Sequence, residues 1–155
     1  MMAIQKILLP YNFTPDEERV LRFVIYTLAR KKDVEITLFH AYTPLPEIDV
    51  KGSPVLAKMK VPILSLTEEL REKEKGLESA RQYLLENGFT EGKVDYIFKK
   101  REKSVVDEII ETVKEGRYRG LVLSRRTGIA KRMFTRSLYD KLLSTLKDIT
   151  ICIVN

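Results

Sequence analysis
Residues 3–28 read AIQKILLPYNFTPDEERVLRFVIYTL, and the hydrophobic period changes partway through them. The apolar run 3–9 ends at Pro10 and has the length of a buried strand. Thr14-Pro15-Asp16-Glu17 then offers an N-cap hydroxyl, a proline at the first helical position and a capping-box glutamate. Val20, Val24 and Leu28 follow at helical spacing, so a helix is predicted to about residue 31. A buried strand feeding an amphipathic helix opens a β–α unit.

The same alternation continues outward. VEITLFHA (34–41) is β-branched and aromatic without a breaker, a second strand. Residues 42–63 hold four of the six prolines and read as a long loop, a mobile flap beside a site. Ser65-Leu66-Thr67-Glu68 is a second capping box, opening a helix with Leu66, Leu70, Leu77, Ala80 and Leu84 on its apolar side and Asn87-Gly88 as its stop. Its charges, among them Glu69, Lys73 and Glu74, read as a solvated face of neighbouring opposite charges.

KVDYIF (93–98) alternates as a third strand; Ser104 and Asp107 cap a third helix with Val106, Ile109, Ile110 and Val113 inward. GLVLS (120–124) is a fourth strand, residues 137–147 a fourth helix, and ITICIV (149–154) a fifth strand. Near-continuous apolar strands joined by helices predict an α/β fold: an open five-stranded parallel sheet with helices on both faces. A chain of 155 residues with 44% hydrophobic and 32% charged residues is one ordinary folded domain, spanning 1–155.

Chemistry is bounded by what is scarce. Cys152 is the only cysteine and His40 the only histidine, so no intrachain disulfide, cysteine cluster or histidine-rich metal site is available, and a reducing cytoplasm is expected. The N-terminal apolar run is too short for a signal peptide or membrane span. A Ser-His-Asp triad would need His40, yet no G-x-S-x-G pattern accompanies it; His40 reads as a packed or hydrogen-bonded structural residue. Neither a catalytic residue nor a metal ligand is expected.

Net charge is +6 and unevenly placed, since 114–147 holds ten Lys/Arg against Glu115 and Asp140, leaving −2 for the rest. A concentrated basic segment says where an anionic ligand would sit. In an open parallel sheet, ligands bind beyond the carboxyl ends of the strands, which brings forward 10–14 after the first strand and SRRTGIAKRMFTRS (124–137) after the fourth. A second basic run, KKREK (99–103), has no stacking-aromatic motif beside it, and nucleic acid is not expected as a partner.

ILLPYNFTPDEERVLRFVIYTLA near one end, GLVLSRRTGIAKRMFTRSLYDKLL and ITICIVN at the other, and LFHAYTP and SVVDEIIETVKEGRYRGLVLS between them resemble the universal stress protein family along the whole chain. The resemblance implies that family's adenine nucleotide alpha hydrolase-like sheet, a stress-response or regulatory role without catalysis, and a homodimer through the last strand, whose apolar edge asks to be paired. Nucleotide-binding members carry an aspartate after strand one and Gly-x2-Gly-x9-Gly-Ser/Thr after strand four. The positions that match their ATP site here are Pro10, Asn12, Ala41, Leu123, Arg126, Arg136 and Ser137.

The spacing is kept and the glycines are replaced. Glycine lets backbone N–H groups approach phosphate oxygens; Leu123, Arg126 and Arg136 put side-chain volume there instead. Asn12 lacks the charge that would help hold magnesium. Arginine can also bind phosphate bidentately. Three readings stay open for the basic loop: a closed former site with no cofactor, a site for ATP or another phosphate-bearing ligand, and a solvated patch.

Overall fold
The computed structural model describes residues 4–45, 60–125 and 136–155. Along the chain run β1 (Gln5–Pro10), α1 (Glu17–Leu28), β2 (Val34–Tyr42), α2 (Lys60–Glu86), β3 (Val94–Lys100), α3 (Val105–Gly116), β4 (Gly120–Ser124), α4 (Arg136–Thr145) and β5 (Thr150–Val154). All pairings are parallel and the strand order is β3-β2-β1-β4-β5. The winding direction therefore reverses at β1, whose neighbours are β2 and β4.

The two-residue period of the strands assigns the helices to faces. Ile7, Leu9, Ile36, Leu38 and Val94 meet Val20, Leu21 and Val24 of α1 and Leu77, Ala80 and Leu84 of α2 in one core. Leu8, Phe39, Leu121 and Leu123 meet Val106, Ile109 and Val113 of α3, Leu142 of α4 and Leu146 just after it in the other. Both cores are mainly aliphatic, with Phe89 in the first and Phe39 and Tyr118 in the second, each fully buried apolar side chain contributing about 1.5–3 kcal/mol. The apolar runs read from the sequence are apolar because both strand faces are covered.

Local starts and stops depart from expectation in three places. Thr14 is not the cap of α1: Asp16 precedes the first helical residue, and a tight turn with Glu17 N–H on the Thr14 carbonyl (3.0 Å) leads in. Helix α2 opens at Lys60, ahead of the Ser65 box, because Pro62 falls in the first turn, where a missing N–H costs nothing. Helix α4 includes Arg136, one residue ahead of the start expected at 137, so Ser137 lies inside it. The flap expected over 42–63 is shortened by α2, and its stretch 46–59 lies outside the described residues.

Other signals hold. Ser104 Oγ accepts the Asp107 N–H at 3.1 Å and caps α3. After α2, Gly88 takes φ +112° and the Phe89 N–H reaches back to the Leu84 carbonyl at 3.2 Å, closing the helix in a Schellman turn.

Candidate functional site
Strand β1 ends level with Phe39 of β2, and the Tyr11 N–H extends the ladder by one bond to the Phe39 carbonyl at 2.8 Å. Beyond it Asn12 leaves the sheet, and Phe13 turns the chain into α1 with φ 60°. Left-handed backbone is costly for a bulky residue, so tertiary contacts must hold it. The Phe13 ring stands edge-on to Tyr11 (5.0 Å) and to His40 (4.9 Å) and lies over Gly76 of α2, where an added Cβ would come within 2.8 Å of the ring. His40 and Tyr42 continue the edge-to-face row through Phe98 at 6.0 and 4.7 Å.

His40 Nδ1 lies 2.9 Å from the Tyr11 carbonyl. A carbonyl only accepts, so Nδ1 carries the proton. Burial first, and then the nearby Lys73 ammonium, lower the imidazole pKa against the upward pull of that hydrogen bond. His40 is a neutral, anchored ring that ties the end of β2 to the end of β1.

Beside this row lies a cleft of about 350 Å³. Pro10, Asn12, Phe13 and Thr14 form its β1 wall, Phe39, His40, Ala41 and Thr43 its β2 wall, and Lys73, Arg101 and Val105 its far side. Under the β1 wall sits Glu17, 1% exposed, whose Oε1 accepts the Asn12 N–H at 3.3 Å. Desolvation raises its pKa to about 7, with Asp16 adding a smaller push and the Asn12 hydrogen bond opposing. Glu17 Oε2 and Thr14 Oγ1 are both buried without hydrogen-bond partners. The glutamate thus reaches back past the expected cap position to the backbone of the loop itself.

Of the seven sequence-derived positions, Pro10, Asn12 and Ala41 come together in this cleft. Leu123 is buried in the α3/α4 core, 1% exposed, and does not line it. Arg126 lies outside the described residues, and Arg136 and Ser137 occupy the first turn of α4, described there by backbone alone.

Sequence reasoning missed Lys73 and Arg101. Lys73 had been assigned to the solvated face of α2, yet positions 70, 73, 77, 80 and 84 form one stripe of that helix, so a lysine there interrupts the apolar side. That interruption was the available signal. Arg101 was indistinguishable within KKREK until the structure separated its members: Lys99 pairs with buried Glu108 (3.4 Å) and Lys103 with Glu111 (2.6 Å), whereas Arg101 turns to the cleft. Among the described residues no group of three or more His, Cys, Asp or Glu is placed to hold a metal, and no helix is long and apolar enough to cross a membrane.

The profile of the universal stress protein family matches residues 3–147. No curated protein matches the chain. Among solved structures, the universal stress protein from Archaeoglobus fulgidus aligns with a TM-score of 0.64 at 19% identity, over 99% of this chain and 96% of its own. UspA from Lactobacillus plantarum gives 0.66 at 12% identity over 100% of both chains. The Archaeoglobus fulgidus protein in complex with dAMP gives 0.61 at 18% identity, over 97% of this chain and 98% of its own. These structural likenesses speak for the fold, and the profile match over nearly the full length speaks for descent: the chain belongs to the universal stress protein family.

Proposed function
We propose that this protein is a non-catalytic, cytoplasmic regulatory member of the family, acting as a dimer, whose nucleotide cleft is altered: it takes a small ligand and does not hydrolyse ATP. The observation that carries this reading is the β1–α1 turn, where Asn12 and Phe13 border a cleft of about 350 Å³ with no carboxylate among its described lining residues. That volume lies at the lower end of small-ligand sites. With no carboxylate among them, the described lining residues offer a nucleotide-bound magnesium ion no charged ligand. The Archaeoglobus fulgidus relative was solved in complex with dAMP, which supports ligand binding over a fully closed site as the reading for this chain.

The dimer is supported by β5, the outer strand of the sheet, which pairs only with β4 and carries Ile153 at 42% exposure. An unprotected apolar edge is stabilised by pairing with a second copy.

Thermal unfolding with and without millimolar AMP, inorganic phosphate and ATP, each in the presence and absence of magnesium, together with an assay for phosphate release from ATP, tests the reading. A ligand at ~100 times its dissociation constant adds about 2.7 kcal/mol, a shift of several degrees. AMP is expected to stabilise, magnesium–ATP to do no better, and ATP to remain unhydrolysed. Turnover of ATP, or stabilisation that requires magnesium, would overturn it.

A further inference from the structure
The cations around the cleft are not equivalent. On α2, Arg71 pairs with Glu68, Lys75 with Glu72 and Arg81 with Glu78; in the basic run 99–103 at the end of β3, Lys99 and Lys103 pair with Glu108 and Glu111. Lys73 and Arg101 make no side-chain ion pair or hydrogen bond with the described residues, and both are half-buried in the cleft wall. Lys73 forgoes Glu69, which stands one turn earlier in the favourable i, i+4 orientation and is exposed. Its ammonium instead lies near enough to His40 to influence that ring, on the cleft side of the helix.

Two cations that line one concavity without a partner among the described residues repel each other, and no carboxylate among the described lining residues offsets them. Val105, the first residue of α3, borders the same wall, so the positive end of that helix adds to the field. Such an arrangement costs stability while the cleft is empty and is offset when an anion enters. The wall supplies a charge of two and combines a point-charge ammonium with a planar guanidinium, the pair of donors that suits a tetrahedral dianion.

We propose that Lys73 and Arg101 are the anion-binding residues of this cleft and that its ligand is a small organic phosphate monoester, held with its phosphate on the β2–β3 side. A phosphate monoester carries about −1.5 to −2 at neutral pH, which matches two cations; a carboxylate or a phosphodiester carries less. The phosphate then lies on the opposite side of β1 from the loop after β4. This assignment rests on the cleft being a ligand site, as proposed above, and names what that site reads.

Calorimetric titration at low salt with adenosine, cyclic AMP and AMP, which share a base and differ in charge, tests it on the full chain. The expected order of affinity is AMP, then cyclic AMP, then adenosine. Lys73→Met and Arg101→Met are each expected to weaken AMP binding about tenfold or more and to leave adenosine unchanged. Lys100→Met, one residue away, exposed and outside the cleft, is expected to change neither. Both cleft variants should unfold at the wild-type temperature or above it without ligand, since each removes an unpaired charge. Adenosine binding as tightly as AMP, with Lys73→Met and Arg101→Met unaffected, would overturn this assignment and leave the cleft a nucleoside site. No binding of any of the three would overturn both.

Discussion

Phe13 and Gly76 explain each other. A glycine inside a helix costs about 1 kcal/mol against alanine, and a phenylalanine at φ 60° is strained, yet each removes the other's obstacle because the ring needs the space a Cβ would take. Gly76→Ala, stabilising in most helices, is therefore expected to lower stability here by about 1–2 kcal/mol in urea unfolding. In a Phe13→Leu background the same change should turn neutral or stabilising, and an unchanged cost there would show that the contact is not responsible. Glu17 carries the second prediction at this scale. Its carboxyl has an ordinary value of 4.5 and sits near 7 in the fold, so the folded state favours the protonated form. That contribution is complete below about pH 4.5 and is lost as pH rises through about 7, amounting to about 3 kcal/mol. Glu17→Gln should raise the unfolding temperature by several degrees at pH 8 and match wild type at pH 4.5. A constant difference across that range would mean the carboxyl is solvated.

At the level of elements, helix ends separate what neighbours in sequence encode from what they do not. The Ser104 cap follows from four adjacent positions, 104–107, so Ser104→Ala should cost about 1 kcal/mol, measured as a lower urea midpoint with the slope unchanged. The Asn87-Gly88 stop was equally legible, because a positive φ followed by a buried apolar residue is a local requirement. The Thr14 and Ser65 capping boxes matched the same pattern without serving as caps. Glu17 was drawn to the Asn12 N–H by the fold of the β1–α1 turn, and α2 extended past Ser65 because a proline in a first turn does not stop a helix. A capping motif states which residue can close a helix end, and the surrounding turn decides whether it does.

For the whole molecule, the sheet order leaves β3 and β5 as its two edges. Lys99 and Lys100 sit on the first, a charged edge that resists pairing, while TICIV forms the second. Light scattering on the purified protein is expected to give twice the chain mass, and Ile153→Lys to give a monomer with its AMP affinity retained, since Ile153 is remote from the cleft lining. A wild-type monomer would remove the dimer from the proposal.

Ala41 entered through the family resemblance; the sequence by itself determined the five strands and four helices of the described residues, the parallel sheet covered on both faces, and the segment 10–14 after the first strand as part of the cleft. Those follow from hydrophobic period, turn chemistry and strand ends, which are set by residues close together in the chain. Only the tertiary structure decided that Phe13 lies over Gly76, that Glu17 is buried, that Lys99 meets Glu108 while Arg101 has no ion-pair partner among the described residues, and that Lys73 lines the cleft with it. Each of these depends on segments distant in sequence meeting at the carboxyl edge of one sheet. A charge looks the same in a sequence whether or not the fold has given it a partner.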